Sequence, residues 1–515
     1  MFQASLVCSI PKLLRRHAAA RSDKTAFVDA TRGLTYGQID RRTANLAGHL
    51  AAMGLAESEC AAIHLPNSVD WVEACFAIVR AGGVAVPIST DAPAAEIAYR
   101  LADSACRLIV TSGAHFAQIQ QIVASSAEPA AILCVEPRDE AAIDFRRLGE
   151  VPPPAPPRDP ENLDAPSFLV YTSGTTGKPK GVMLSTRGMT WVTAACWSPL
   201  LGLDEEDTLL SPLPLYHSYA LNLCIISVLA TGAAVHFMER YSSAEALRLL
   251  ATGSFTIFPG VPTIFHYLAE TADEAAVMKG LRACVSAGAI LPPTFGEAFE
   301  RRFGVPLLDG YGITETSTMV SMNGVSSDRI AGSCGMPIAG LSVRIVDPAS
   351  LRDVDPGEEG ELIVRGPNVM LGYLHKPEET DKALRNGWYH TGDLARTDRN
   401  GFLTITGRIK EVIIRGGQNI APAEIEEIAL QYEAVVDCAV VGLPHEALGE
   451  VPGLFVVPRV SGLDVVDLLR HCQNHLSAYK VPTVVQIVEQ IPRTGSGKIV
   501  RFELREAWEA ANVRS

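Results

Sequence analysis

The sequence predicts an α/β fold, arranged as a large N-terminal domain followed by a small α+β unit. Three observations predict it. Apolar runs of strand length alternate with amphipathic helical stretches from near the start. The chain is long, with 515 residues of which 47% are hydrophobic. Its character also changes around residues 407–410. Single cores stop growing beyond about 250–300 residues, so a chain of this length divides into two or more domains.

Composition narrows the function classes. Forty-four basic against 58 acidic residues give a formal charge of -14. That argues against a general nucleic-acid binder, whose affinity comes from a lysine- and arginine-rich face. A local basic pocket for a nucleotide stays open. Eleven cysteines lie scattered from Cys8 to Cys472 without a C-x-x-C pair, which suggests reduced, mostly buried thiols and a cytoplasmic protein. Neither they nor the twelve histidines show metal-ligand spacing.

Taken in order, the N-terminus places Arg15-Arg16 after a short apolar stretch, the reverse of a secretory signal. Residues 61–65 read as a strand. Asn67 then caps a helix carrying Val69, Val72, Phe76 and Val79, stopped by Gly82-Gly83, before a second strand at 84–88. Residues 151–160 hold six prolines and read as an exposed loop within a domain. The most lipid-like run, 220–237, contains Asn222, Ser227, Thr231, Gly232 and His236. A membrane span needs roughly 20 predominantly apolar residues, so this run reads as a buried core helix of a soluble protein. Phe295, Phe299 and Phe303 form a helical stripe ended by Gly304, with a strand at 305–308. Beyond 410 come a strand (412–414), a helix (423–429), strands (435–441, 454–457), a helix (464–476) and a strand (483–488). That is an independent unit of about a hundred residues, a common domain size.

The strongest local signal is Tyr171-Thr-Ser-Gly-Thr-Thr-Gly-Lys-Pro-Lys-Gly181, between two apolar strands. Gly174 and Gly177 let the backbone turn sharply and expose N–H groups to a phosphate. Thr172, Ser173, Thr175 and Thr176 add hydroxyl donors, and Lys178 and Lys180 add charge. The Walker A spacing fails, because three positions separate Gly174 from Gly177 and Pro179 follows Lys178. By physical argument alone this is a phosphate-binding loop or a flexible turn.

The string resembles the phosphate loop of the adenylate-forming superfamily, in particular its acyl-CoA synthetase branch. Further motifs of that family occur in its order along almost the whole chain. They are Leu34-Thr-Tyr-Gly37, Pro214-Leu-Tyr-His217, Ser286-Ala-Gly288, Asp309-Gly-Tyr-Gly-Ile-Thr-Glu-Thr316, Gly366-Pro-Asn-Val-Met370, Trp388-Tyr-His-Thr-Gly-Asp-Leu394, Gly407-Arg-Ile-Lys410 and Pro492-Arg-Thr-Gly-Ser-Gly-Lys498. The resemblance implies a large N-terminal adenylation domain (1–409) and a small mobile C-terminal domain (410–515) carrying Lys498. It also implies a two-step reaction: a carboxylate attacks the α-phosphorus of ATP, and a thiol then displaces AMP.

Residue by residue, the resemblance implies that Thr172–Lys180 (Thr172, Ser173, Gly174, Thr175, Thr176, Gly177, Lys178, Lys180) hold the β/γ phosphates. Glu315 would position Mg²⁺, with Thr314 near the α-phosphate. Asp309, Gly310, Tyr311 and Gly312 would border the adenine. Asp393 would accept the ribose hydroxyls, with Arg408 beside it. Lys498 would reach the α-phosphate and carboxylate oxygens, and Lys410 matches the hinge. His217, Tyr219, Gly288 and Gly310 would line the acid pocket, and Gly416 and Gly417 the pantetheine tunnel. Taken singly, Asp393 reads as a turn or cap residue, Glu315 as a solvated helix-start carboxylate and Lys498 as a loop lysine. His217 competes with a hydrogen-bonded core histidine, and Gly416-Gly417 with a plain turn. The ordered set favours the functional reading.

Within the branch, 214–222 lacks the acidic residue that pairs with an amino-acid substrate's amine. An unpaired carboxylate is costly beside an apolar acid, so a hydrophobic aliphatic or aryl acid is expected, with CoA as the thiol. The short stretch after Lys498 leaves no room for a fused carrier domain. Ala287 and Ile290 replace the usual Gly and Pro of their motif, and Ile414 and Gly416 stand where plant-type ligases carry lysines. The alternatives are an enzyme loading a carrier protein, a luciferase-like oxidase on the same scaffold, and a nucleotide-binding protein with a degenerate site.

Overall fold

In the computed structural model of the chain, the described residues are 2–125, 130–137, 142–172, 179–273, 276–416, 418–459, 462–494 and 497–512. Among them the strands form four sheets. In one, Pro166–Thr172, Val84–Pro87, Cys60–His64, Leu108–Ser112, Ala131–Val135 and Ile143–Asp144 run parallel. In a second, Leu307–Tyr311, Ala283–Ser286, Ile257–Gly260, Thr208–Ser211, Ala234–Phe237 and Thr25–Val28 run parallel. A third, antiparallel sheet contains Gly360–Arg365, Trp388–Thr397 and Leu403–Arg408. These three belong to the large N-terminal domain. The fourth sheet, centred on Val435–His445 and Gly449–Pro458, belongs to the small C-terminal domain and packs its own apolar clusters.

Parallel strands buried on both faces need continuous apolar runs, and the sequence supplies them. Between the two large sheets lies the main core, with Phe27, Tyr36, Trp71, Phe76, Phe168, Trp197 and Phe237 fully buried. The Leu34–Gly37 motif serves this packing. Thr35 caps the helix Tyr36–Ala52 in a capping box with Gln38. Tyr36 donates its hydroxyl to the carbonyls of Val228 (2.9 Å) and Ala233 (2.7 Å).

Most expected elements occur within a residue or two of their expected bounds, and two readings are corrected. The helix Val69–Arg80 is capped by Ser68, whose Oγ accepts from the Trp71 N–H, and not by Asn67. Asn67 instead donates to the carbonyls of Leu213 and Met238 and accepts from the Leu215 N–H. A half-buried amide is better satisfied by three backbone groups than by one cap. The run 220–237 is not one helix. Gly232 takes a left-handed conformation (φ +82°) and ends it, so Ala234–Phe237 becomes a strand. Within the run Leu221–Ser227 winds as a π-helix against a second one, Thr193–Trp197. A hydrogen bond of 2.8 Å between the Thr193 and Ser227 hydroxyls joins them. No described helix is long and apolar enough to cross a membrane. All eleven cysteines are free thiols, and nine of them are buried.

A buried ion cluster ties the N-terminal helices together. Glu73, fully buried, accepts from both Arg32 and Arg42, while Asp70 accepts from Arg32 and, at 2.7–2.9 Å, from Arg146. Removing one partner of a buried pair leaves an uncompensated charge, at a cost of about 3–5 kcal/mol. Glu73→Ala should therefore lower stability by that amount, read as a fall in the urea midpoint of the large domain. A change under about 1 kcal/mol would contradict the cluster's assigned weight.

Candidate active site

Parallel α/β sheets place functional groups at the carboxyl ends of their strands. Leu307–Tyr311 ends there, with Asp309 in register with Ser286. The Asp309 carbonyl accepts from the Asn323 N–H (3.0 Å) and side-chain amide (3.3 Å). Burial pushes the Asp309 carboxyl well above the usual carboxylate range, against the pull of the Gly310 N–H. Two residues on, the Tyr311 hydroxyl donates to Asp393 Oδ2.

Asp393 is only 2% exposed. In the antiparallel ladder it lies directly across from Arg408, whose Nε donates to Asp393 Oδ1 at 2.8 Å. Both carboxylate oxygens are thus engaged. Burial raises its pKa, while Arg408, Tyr311 and Lys498 pull it back.

Glu315 lies in the single turn Thr314–Thr316. Its Oε1 accepts from the Tyr373 hydroxyl at 3.0 Å, and its carbonyl accepts from the Met370 N–H at 2.8 Å. Burial raises this carboxyl too, against the Tyr373 hydrogen bond and the Arg408 charge. Thr314 Oγ1 is 3.1 Å from Ser218 Oγ.

The small domain contributes Lys498. Its loop is closed by the Thr494 N–H on the Lys498 carbonyl and by the Gly497 N–H on the Thr494 carbonyl, both 2.8 Å. Gly497 has φ +81°, and a Cβ there would lie 2.8 Å from Val261 Cγ2 of the large domain. This loop therefore rests against the start of the helix Pro262–Thr271. Nearby, Arg459 Nη1 contacts both oxygens of Glu270 at 3.0 Å across the domains. Burial, and then the Arg408 charge, lower the Lys498 pKa to about 8, opposed by Glu411, Asp393 and Glu315.

His217 precedes the short helix Ser218–Ala220 and packs at a tilt against Tyr216, with ring centroids 4.4 Å apart. Its Nε2 is buried and has no partner among the described residues. Desolvation, with a smaller push from Arg100, lowers its pKa to about 4, so the ring is neutral at neutral pH. Tyr219 donates to the Val285 carbonyl (3.0 Å) and stacks on Trp197, which is itself bonded to Asn222 (2.6 Å). Gly288 follows with φ +90°. Ala287 is buried, whereas Ile290 is exposed.

The remaining expectations are placed as follows. Residues 173–178, with Ser173, Gly174, Thr175, Thr176, Gly177 and Lys178, lie outside the described residues, as does Gly417. The ends of that loop, Thr172 and Lys180, face each other in an antiparallel pair. Lys180 pairs with Glu379 and lies over the Tyr373 ring at 5.0 Å. Gly312 packs so closely on Thr318 that a Cβ would fall 1.3 Å from its carbonyl oxygen. Lys410 sits exposed in the turn Ile409–Glu411. Gly416 (φ +57°) turns the hairpin between Ile413–Arg415 and Gln418–Ile420, its N–H on the Leu448 carbonyl. The sequence reading missed Tyr373, which joins Glu315 to Lys180. Its position two residues beyond an exposed leucine carried no periodic signal.

Among the described residues no three His, Cys, Asp or Glu side chains cluster as a metal cage. A single carboxylate such as Glu315 suits Mg²⁺, which is usually held by one or two carboxylates together with substrate phosphates.

Comparison with known proteins agrees with this geometry. The AMP-binding enzyme family matches residues 14–374, and the AMP-binding enzyme C-terminal domain matches 424–498. Feruloyl-CoA synthase of an Amycolatopsis species is 34% identical over 95% of this chain and 97% of its own length. Naringenin synthase of Pestalotiopsis fici is also 34% identical over 96% of this chain, which spans only 19% of that longer protein. The crystal structure of the anthranilate CoA ligase AuaEII with anthranoyl-AMP superposes with a TM-score of 0.93 at 27% identity, covering 99% of this chain and 98% of that one. The chain belongs to the AMP-binding, adenylate-forming enzymes. Within them it falls in the acyl-CoA synthetase branch, the AMP-forming acid–thiol ligases, which make an acyl-adenylate with ATP and pass the acyl group to CoA.

Hydrogen bonds to a charged group contribute about 1.5–3 kcal/mol, so Arg408→Met should weaken AMP binding by about 10–100-fold in calorimetry. An unchanged affinity would show that the Asp393–Arg408 pair does not shape the nucleotide site.

Proposed function

We propose that the cleft between the two domains activates a hydrophobic carboxylic acid, aryl or aliphatic, with the residue roles that follow. The observation that carries this reading is that Tyr311 and Arg408, from separate segments, both bond the buried Asp393, with Lys498 of the small domain close enough for its charge to act on Asp393 and Arg408. Asp393 accepts the ribose hydroxyls, and Arg408 holds its carboxylate in place. Asp309, Gly310, Tyr311 and Gly312 border the adenine. The loop from Thr172 to Lys180 cradles the β/γ phosphates with its N–H groups and hydroxyls. Mg²⁺, when bound at Glu315, neutralises phosphate charge.

In the first half-reaction a carboxylate oxygen of the acid attacks the α-phosphorus in line. The bond from that phosphorus to the bridging oxygen breaks, and pyrophosphate leaves. Charge on the equatorial oxygens is met by the Lys498 ammonium, with the Thr314 hydroxyl near the α-phosphate. In the second, the CoA thiol attacks the acyl carbon, the acyl–oxygen bond breaks, and AMP departs with the electron pair. The small domain, residues 410–515, pivots at Lys410 between the two steps. Its separate apolar clusters support such movement.

The neutral His217 ring, the Tyr219–Trp197 stack and the lack of an acidic side chain at 214–222 support an uncharged acid tail. Feruloyl-CoA synthase and the anthranilate CoA ligase act, by name, on aryl acids. A pyrophosphate-release screen over benzoates, cinnamates, fatty acids and amino acids tests the class. Turnover of amino acids alone would overturn it.

Lys498→Ala should slow adenylate formation by about 10²–10³, the scale of losing one preorganised donor. Thioester formation from supplied acyl-adenylate should change far less. Because the ammonium loses its proton near pH 8, kcat/KM for adenylation should fall above that pH in the native enzyme. The alanine variant should lack this limb. Equal losses in both half-reactions would contradict the role.

A further inference from the structure

Immediately after Glu315 the backbone is strained. Ser317 and Thr318 both have positive φ, +51° and +109°, and the second is a β-branched residue. Such a residue is a genuine outlier in this region, and it persists only where its surroundings over-determine it. Both are nearly fully buried.

Part of the restraint is backbone, since the Ser317 and Thr318 N–H groups donate to the Thr314 and Ile313 carbonyls at 3.0 and 3.1 Å, and one side chain adds to it. Asn368, fully buried, donates its amide to the carbonyls of Thr316 and Met319, each at 2.8 Å, so it spans the strained pair. The Ser317 hydroxyl donates back to the Asn368 carbonyl at 2.8 Å. Two residues further on, the Met370 N–H holds the Glu315 carbonyl at 2.8 Å. From the other side, the Thr318 hydroxyl donates to the Ser218 carbonyl at 2.8 Å, and Ser218 Oγ meets Thr314. The Gly366–Met370 motif thus has a physical task that nucleotide and acid binding leave unexplained.

We infer that Asn368 is a positioning residue for adenylation: it clamps the Ser317–Thr318 turn and so fixes Thr314 and Glu315 in the cleft. The inference rests on the roles proposed above for those two residues. Without the clamp the turn relaxes toward ordinary φ values, and the Thr314–Glu315 turn moves with it. A displacement of about an ångström at a reacting centre costs about 10²-fold in rate.

The test is a double-mutant cycle on acid-dependent ATP–pyrophosphate exchange, with thermal midpoints and acyl transfer from supplied acyl-adenylate measured alongside. Asn368→Ala should lower the exchange kcat by about 10²-fold, with the acid KM and the acyl-transfer rate nearly unchanged. Thr318→Gly, which adopts the positive φ without help, should recover about tenfold of that loss in the Asn368→Ala background. If Asn368→Ala fails to fold, the isosteric Asn368→Asp enters the same cycle. An unaltered exchange rate, or a loss that Thr318→Gly leaves in place, overturns the inference. Thr314→Ala and Glu315→Gln separate the two levels. If they leave exchange intact, the assigned roles fail; if they abolish it while Asn368→Ala does not, only the clamp fails.

Discussion

The geometry of the cleft depends on compensating one carboxylate, Asp393, that is buried away from water. Burying a lone charge is far too costly to persist, so the charge must be met where it sits. Strand pairing does this directly by setting Arg408 across the ladder, and Tyr311 closes the second oxygen from another sheet. Three separate stretches of chain are thereby drawn to one point. The same guanidinium also depresses Lys498, so the small domain's lysine feels the large domain's charge balance. Arg408 therefore answers to two demands at once, compensating one buried charge and tuning another.

The large domain resembles two sheets that share a core, and the third sheet functions as a mount. Its hairpin carries Asp393 and Arg408 on facing strands, so their separation is set by ladder geometry and not by flexible side chains. Arg501 plays the corresponding part in the small domain, bonded to Glu426, to the Val440 carbonyl and to Glu411 in the turn that contains Lys410. That joins the last helix to the domain's entry segment.

Much of this was legible in the sequence because the informative features are local. Strand-length apolar runs and Gly304 after a phenylalanine stripe each act within a few residues, whereas the glycine-flanked hydroxyl string falls at 173–178, outside the described residues. Asn67 was misassigned because capping propensity is local, while its actual partners at Leu213, Leu215 and Met238 are brought near only by folding. From sequence the 220–237 run reads as one helix because hydrophobicity does not distinguish a buried helix from a buried strand, and Gly232 is what divides it. Tyr373, and the part that Asn368 plays within the Gly366–Met370 motif, were not legible for a similar reason. Their contacts are long-range, and nothing in their neighbours marks a buried amide or a shared hydroxyl.

The paired π-helices at Thr193–Trp197 and Leu221–Ser227 bear on how such a protein diversifies. A π turn accommodates one residue more than an α turn over the same hydrogen-bonded span. Deleting one residue from either helix would tighten its winding while the flanking strands kept their register. On the proposed placement of the acid, the wall holding Tyr219 and Trp197 changes its contour through single-codon insertions or deletions. Descendants could explore new acyl groups without rebuilding the chemistry.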